Sequence, residues 1–180
     1  MNAIKEIGFK NALKYLVFSF FYLIFKFLFI SPLRVFFLSL FGAKIGKNVV
    51  IEDIKFFNLY RTGWSGLKIG NNCYLGSESV FDLAESITIE DNVTVSAGVI
   101  LLTHTNVGYK NHPLQKILPK TSSPLIIDSG CFIGAGSVIV GVKKLGVNTA
   151  VAAGAVVTKN NKGNELIAGS PAKILRSFKL

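Results

Sequence analysis

The sequence predicts an all-β solenoid, a parallel β-helix, preceded by an apolar helical segment. Three observations lead there. An aliphatic residue returns every sixth position at Ile127, Ile133, Ile139, Leu145, Val151 and Val157. The same beat runs through Ile69, Leu75, Phe81 and Ile87, and again through Ile89, Val95 and Leu101. A small residue often stands two places before the aliphatic, as at Cys131, Ser137, Thr149 and Ala155. A six-residue period marks coils of short strands, none of which can bury its apolar face alone, so neighbours must stack.

The first element along the chain, residues 1–41, does not keep the beat. From Tyr15 to Ile30 only Ser19 and Lys26 are not apolar, and phenylalanine dominates. Pro32 interrupts a helix in this stretch, and a second apolar run, Leu33 to Phe41, ends at Gly42, a helix stop. Lys5, Lys10 and Lys14 precede the apolar run; Lys44 and Lys47 follow it. The run is shorter than the ~20 residues of a membrane span and contains a lysine. It lacks the small-residue cleavage site of a signal peptide. Two placements remain: a helical pair packed on the folded body, or a segment lying in the membrane interface with its lysines on anionic headgroups. So many phenylalanines need an apolar partner, and membrane association is the expectation.

Residues 42–165 form the predicted β-helix. Strand side chains alternate, so the small residue and the aliphatic face the same way. Pairs such as Cys73/Leu75, Val93/Val95, Cys131/Ile133, Ser137/Ile139 and Ala155/Val157 line the interior. Corners carry Gly70-Asn71-Asn72, Glu90-Asp91-Asn92 and Gly146-Val147-Asn148, residue types that tolerate positive φ. Residues 45–56 fit the pattern and 57–68 fit poorly. The beat slips between Ile87 and Ile89. Lys143 falls on a nominally inward position, so a one-residue adjustment should turn it outward. Both cysteines, Cys73 and Cys131, sit at small inward positions and read as core rather than as a disulfide or a metal site.

After Leu101 the beat stops, and it resumes near Leu125. A loop of this length, 103–124, inside a compact solenoid is more often functional than accidental. It carries both histidines, His104 and His112, and three lysines. His104 stands at the exit of a rigid strand, which positions a general base better than mid-loop His112. The whole chain has 20 Lys+Arg against 10 Asp+Glu, a formal charge of +10. That balance suits an anionic partner. No nucleic-acid module or aromatic–basic stripe is present, which argues against nucleic acid.

The tail resembles a known family. Val151-Ala152-Ala153-Gly154-Ala155-Val156-Val157-Thr158-Lys159-Asn160, followed by Ile167-Ala168-Gly169-Ser170-Pro171-Ala172-Lys173-Ile174-Leu175-Arg176, is similar to the galactoside, maltose and colanic-acid O-acetyltransferases. These belong to the hexapeptide-repeat acyltransferases, and the resemblance covers roughly residues 42–176. It implies a left-handed β-helix, a homotrimer with active sites between subunits, and acetyl-CoA as donor with no metal. His104 matches the catalytic histidine that takes the acceptor proton. Asp82 lies near an acceptor-binding position. Ala135 and Ala153 match positions whose backbone meets the pantetheine arm. Thr158 and Lys159 match positions near the pantetheine and diphosphate, and Lys173 and Arg176 match basic positions near the ribose phosphate. Residues 166–180 are a short C-terminal tail.

The expected function is therefore acetyl transfer to a sugar hydroxyl of a cell-surface polysaccharide or its lipid-linked precursor, at the cytoplasmic face of the membrane. A serine acetyltransferase shares fold and donor, but its larger helical N-terminal domain does not resemble this leader. A metal site of the γ-carbonic-anhydrase type needs three histidines, and the chain has two. An ice-binding β-helix would want a regular outward Thr ladder and no interrupting loop.

Overall fold

The computed structural model describes residues 8–108 and 111–179; Lys5 and Lys110 lie outside them. Three parallel sheets wrap one interior. The first joins Lys44–Ile45, Leu67–Ile69, Ile87–Ile89, Leu125–Ile127 and Lys144–Leu145. The second joins Val50–Ile51, Tyr74–Leu75, Thr94–Val95, Phe132–Ile133 and Ala150–Val151, then Glu165–Gly169 and its antiparallel return, Ala172–Ser177. The third joins Lys55–Phe57, Val80–Asp82, Ile100–Leu102, Val138–Val140 and Val156–Val157. Each coil contributes one strand to each sheet in that order. Residues 166–177, expected as a tail, thus extend the second sheet.

The interior is filled by the apolar residues of the beat: Leu75, Phe81, Val95, Leu101, Ile127, Ile133, Ile139 and Val151 are fully buried. Ile87 and Ile89 both point inward from one strand, which explains the slip in the beat. Near residue 143, Gly141 takes a φ of 68° and Val142 fills the interior, leaving Lys143 exposed.

The first corner, between the first and second sheets, is an asparagine ladder. Asn48, Asn72, Asn92, Asn148 and Asn164 all adopt left-handed backbone conformations. The Asn48 side-chain amide donates to Asn72 and that of Asn72 to Asn92, each at 3.1 Å, while Asn148 donates to Asn164 at 2.9 Å. Asparagine is among the few side chains that accept this backbone and can also bond its neighbour. The fourth coil substitutes Gly130, where a Cβ would fall 2.2 Å from Asn148 Oδ1.

Two helices cover the N-terminal end: α1, Phe9–Lys26, and α2, Ser31–Leu40. Pro32 does not interrupt a helix as expected; it stands in the first turn of α2, where its missing N–H costs nothing. The break falls earlier, after Lys26. Trp64 fixes both helices to the solenoid. It is fully buried, with ring centroids 5.6 Å from Phe18, 5.3 Å from Phe37 and Phe41, and 6.3 Å from Phe25 and Phe56. Buried Arg34 adds a polar tie, donating to the carbonyls of Leu28 at 2.7 Å and Ile51 at 3.1 Å. Ser31 Oγ accepts the Ile51 N–H at 2.8 Å.

Candidate functional site

The third corner, where the third sheet turns back to the first, carries the irregular segments. Here residues 58–66 leave the solenoid as a helical turn, Leu59–Thr62, and a 3-10 turn, Trp64–Gly66. Here too the chain departs at His104 for the long loop. Its neck is closed by antiparallel pairing of His104 with Ser122 and Thr105 with Thr121.

Asp82 organises this corner. It ends the strand Val80–Asp82 and is fully buried. Its Oδ1 accepts the Asn58 side-chain amide at 2.7 Å and the Ala84 N–H at 3.0 Å. Its Oδ2 accepts the N–H groups of Thr103 and His104, each at 3.1 Å, and faces His104 Nδ1 at 2.5 Å. The Thr103 hydroxyl donates to the Asp82 main-chain carbonyl at 2.7 Å and accepts the Glu85 N–H at 3.0 Å. A buried charge is tolerated where it is met this fully by donors. An ionised Asp82 accepts only, so Nδ1 carries the proton and Nε2 keeps its lone pair. The Phe57 ring lies 6.3 Å from the imidazole and covers one side of it. Glu85 ties the neighbourhood together, bonding Arg61 and Ser122 at 2.9 Å each.

Asp82 was expected to touch the acceptor. Its burial and its five protein donors leave it no oxygen for a ligand. His112 bonds within the loop: its Nδ1 accepts the Leu114 N–H at 3.2 Å. Among the described residues no cluster of His, Cys, Asp and Glu could hold a metal.

The other expected site residues fall into two further groups. Ala135 and Ala153 occupy adjacent coils of the second corner, between the second and third sheets, and are exposed. The Ala135 carbonyl accepts the Gly154 N–H at 2.8 Å, so of its backbone groups the N–H remains for a ligand. Lys159 and Lys173 line a cavity of about 550 Å³ at the C-terminal end, with Asn160, Lys162 and Ile174. Thr158 and Arg176 are exposed and lie outside that lining. Within one chain the alanines and His104 stand at different corners, with the third sheet between them.

A smaller cavity, of about 210 Å³, separates α1 from the segment Phe56–Tyr60. Tyr15, Tyr22 and Tyr60 contribute to its wall, and so do Phe57 and Asn58, which contact His104 and Asp82. Neither Asn58 nor Thr103 carries a direct signal in the sequence. The only clue was positional: Asn58 begins the stretch where the beat fails, and Thr103 immediately precedes the candidate base.

A period-six solenoid with a long loop inserted after Leu102, and a buried carboxylate on the histidine at that insertion, has the form of the left-handed β-helix acyltransferases. The chain belongs to the hexapeptide-repeat acyltransferase family. A profile of that family, described as the hexapeptide repeat of succinyl-transferase, matches residues 66–103 and 124–159, on either side of the loop. The chain is 30% identical over 145 residues to an Escherichia coli K12 protein named for colanic acid biosynthesis, acetyltransferase WcaF; the match covers 79% of this chain and 74% of that one. It is 29% identical over 142 residues to the galactoside O-acetyltransferase of the same organism, covering 76% of this chain and 64% of the relative's length. Among solved structures, galactoside acetyltransferase in complex with coenzyme A superposes with a TM-score of 0.77 at 26% identity, covering 94% of this chain and 82% of that one.

Proposed function

We propose that the protein transfers an acetyl group from acetyl-CoA to a sugar hydroxyl, on a cell-surface polysaccharide or its lipid-linked precursor at the cytoplasmic face of the membrane. The observation that carries this reading is His104, held by a buried carboxylate with Nε2 free to take a proton. His104 Nε2 removes the acceptor hydroxyl proton as that oxygen attacks the thioester carbonyl. Collapse of the tetrahedral intermediate breaks the carbon–sulfur bond, and His104 returns its proton to the leaving thiolate. No acyl-enzyme forms. Asp82 is a positioning residue: it fixes the tautomer and offsets the imidazolium charge. The tyrosines beside Phe57 and Asn58 offer apolar faces with hydroxyl tips, a combination suited to a pyranose ring.

The donor is read onto the two remaining groups. The N–H groups of Ala135 and Ala153 suit the amide-rich pantetheine arm. Thr158, Lys159, Lys173 and Arg176 gather hydroxyl and positive charge for the diphosphate and ribose phosphate. A donor meeting the alanines of one corner and the histidine of another fits between two copies better than on one, which supports a homotrimer with shared sites. One relative is named a galactoside O-acetyltransferase and the other an acetyltransferase of colanic acid biosynthesis, and these names support the acceptor class.

The test incubates the full chain with acetyl-CoA and a panel of pyranosides plus L-serine, following thiol release and the acetyl ester by mass spectrometry. Ester on a pyranoside is the expected product. Turnover of L-serine alone would overturn the sugar reading.

A further inference from the structure

Helix α1 is apolar on both sides. Phe18, Phe21, Tyr22 and Phe25 pack toward the solenoid core. The opposite stripe is bare: Phe9, Leu13, Leu16, Phe20, Ile24 and Phe27 all lie within about 60° of Phe20 on a helical projection. Phe20 is 61% exposed and Phe27 is 75% exposed. The stripe continues through the connection, where Phe29 is 83% exposed, to Phe36 and Leu40 on α2, each 68% exposed. A helix apolar all round belongs inside a large core or against a membrane. A contiguous patch of this kind is not left to water.

We propose that this face of α1 and α2 seats the protein on an anionic lipid bilayer, the helices lying in the plane of the interface. The proposal deepens the membrane placement in the functional reading above and rests on that reading only for where the acceptor is met. Three observations select the occupant. First, neither helix contains Asp or Glu, while Lys10 and Lys14 flank the bare stripe on one side and Lys26 on the other. This is the arrangement of an interfacial helix, with apolar side chains down and cations at headgroup level. Second, Lys44 and Lys47, exposed just after α2, extend the same sign of charge. A second copy would bring lysines against lysines, whereas anionic headgroups complement them. Third, α1 is held lengthwise against the solenoid through Trp64 and Phe25, so it cannot cross the bilayer without carrying the β-helix with it. No helix among the described residues is long and apolar enough to cross a membrane.

The consequence for the reaction is positional. The α1 residues Tyr15 and Tyr22 wall the cavity whose other members, Phe57 and Asn58, touch the His104–Asp82 pair. One helix therefore presents its outer face to lipid and its inner face to the site. An acceptor anchored in that leaflet would meet His104 without leaving the membrane surface.

Flotation with extruded vesicles of phosphatidylcholine alone, and of phosphatidylcholine with phosphatidylglycerol, tests the proposal on the full chain. The wild type should float with the anionic vesicles and favour them over neutral ones by about tenfold or more. The triple variant Phe20→Ser, Phe27→Ser, Phe36→Ser changes only exposed side chains; it should keep its circular dichroism and lose binding by about tenfold or more. Lys10→Gln with Lys14→Gln and Lys26→Gln should weaken the lipid-charge preference, leaving the part that Lys44 and Lys47 supply. His104→Ala should float as wild type, so a failed acetylation reading and a failed membrane reading remain distinguishable. Failure to float, or undiminished flotation of the triple serine variant, would overturn the proposal. So would a serine variant whose oligomer dissociates in the absence of lipid, since the face would then belong to a second copy.

Discussion

Asp82 is buried at a position where an uncompensated carboxylate would cost several kcal/mol. The Ala84 N–H just past the strand, the Thr103 and His104 N–H groups of the next coil, the Asn58 amide and the His104 ring remove that cost together. Replacing Asp82 with Asn keeps the shape but presents an amide to Nδ1, and the imidazole can then adopt the wrong tautomer. Turnover should fall roughly 10²–10⁴-fold with little change in the KM for acetyl-CoA, as steady-state kinetics would show. The cysteines make a second test at this scale. Burial pushes the Cys131 thiol up to about 11 from an ordinary 9.0, and burial raises Cys73 as well. A thiol raised in the folded state contributes stability that is complete below its unfolded value and is lost as pH climbs through the folded one. Urea midpoints should therefore fall between pH 9 and about 11, and Cys131→Ala should remove on the order of 2–3 kcal/mol of that total loss. His104 was legible in the sequence because a strand exit before a long loop is a one-dimensional signal. Its support was not: Asn58, Asp82 and Thr103 meet only because three successive coils stack at one corner, and Asp82 alone gave no hint of being buried.

The hexapeptide elements could be read almost residue by residue, because inward pairs, corners and coil spacing all follow from local period. What escaped was whatever depends on non-local packing. Residues 57–68 look like a failed repeat, yet within them 58–66 form the excursion that presents Trp64 to both helices. Trp64→Ala removes the ring on which five phenylalanines converge and should cost about 3–5 kcal/mol in chemical denaturation. At the asparagine ladder, Gly130→Ala would combine a left-handed backbone with a Cβ 2.2 Å from Asn148 Oδ1. It should cost more than the ~1 kcal/mol of the backbone alone, because the Asn148–Asn164 bond must also shift. Pro32 shows the same limit from the other side. A proline is a break or a start according to where the preceding helix ends, and here α1 ends at Lys26, one residue after Phe25 meets Phe56 and Trp64.

At the scale of the molecule, the solenoid holds three candidate groupings on different edges: the His104 corner, the Ala135–Ala153 corner and the cationic C-terminal end. A single chain keeps them apart, and the proposed trimer would join them. Co-assembly tests it. Mixed trimers of His104→Ala subunits and subunits carrying Lys159→Glu with Lys173→Glu should recover activity that neither parent has, because some sites would receive both intact halves. Recovery absent from verified mixed trimers would place the whole site on one chain. Repeat, loop and tail signatures made the family legible in one dimension. The apolar face of α1 was legible as composition, but which side of it faces the core and which is bare required the fold. The central claim, a histidine base acting between bound donor and acceptor, is tested most directly by His104→Ala, with coenzyme A binding measured by calorimetry and acetyl transfer by thiol release. The account predicts an unchanged coenzyme A Kd and a rate lowered by about 10³-fold or more; a rate within a few-fold of wild type would contradict it.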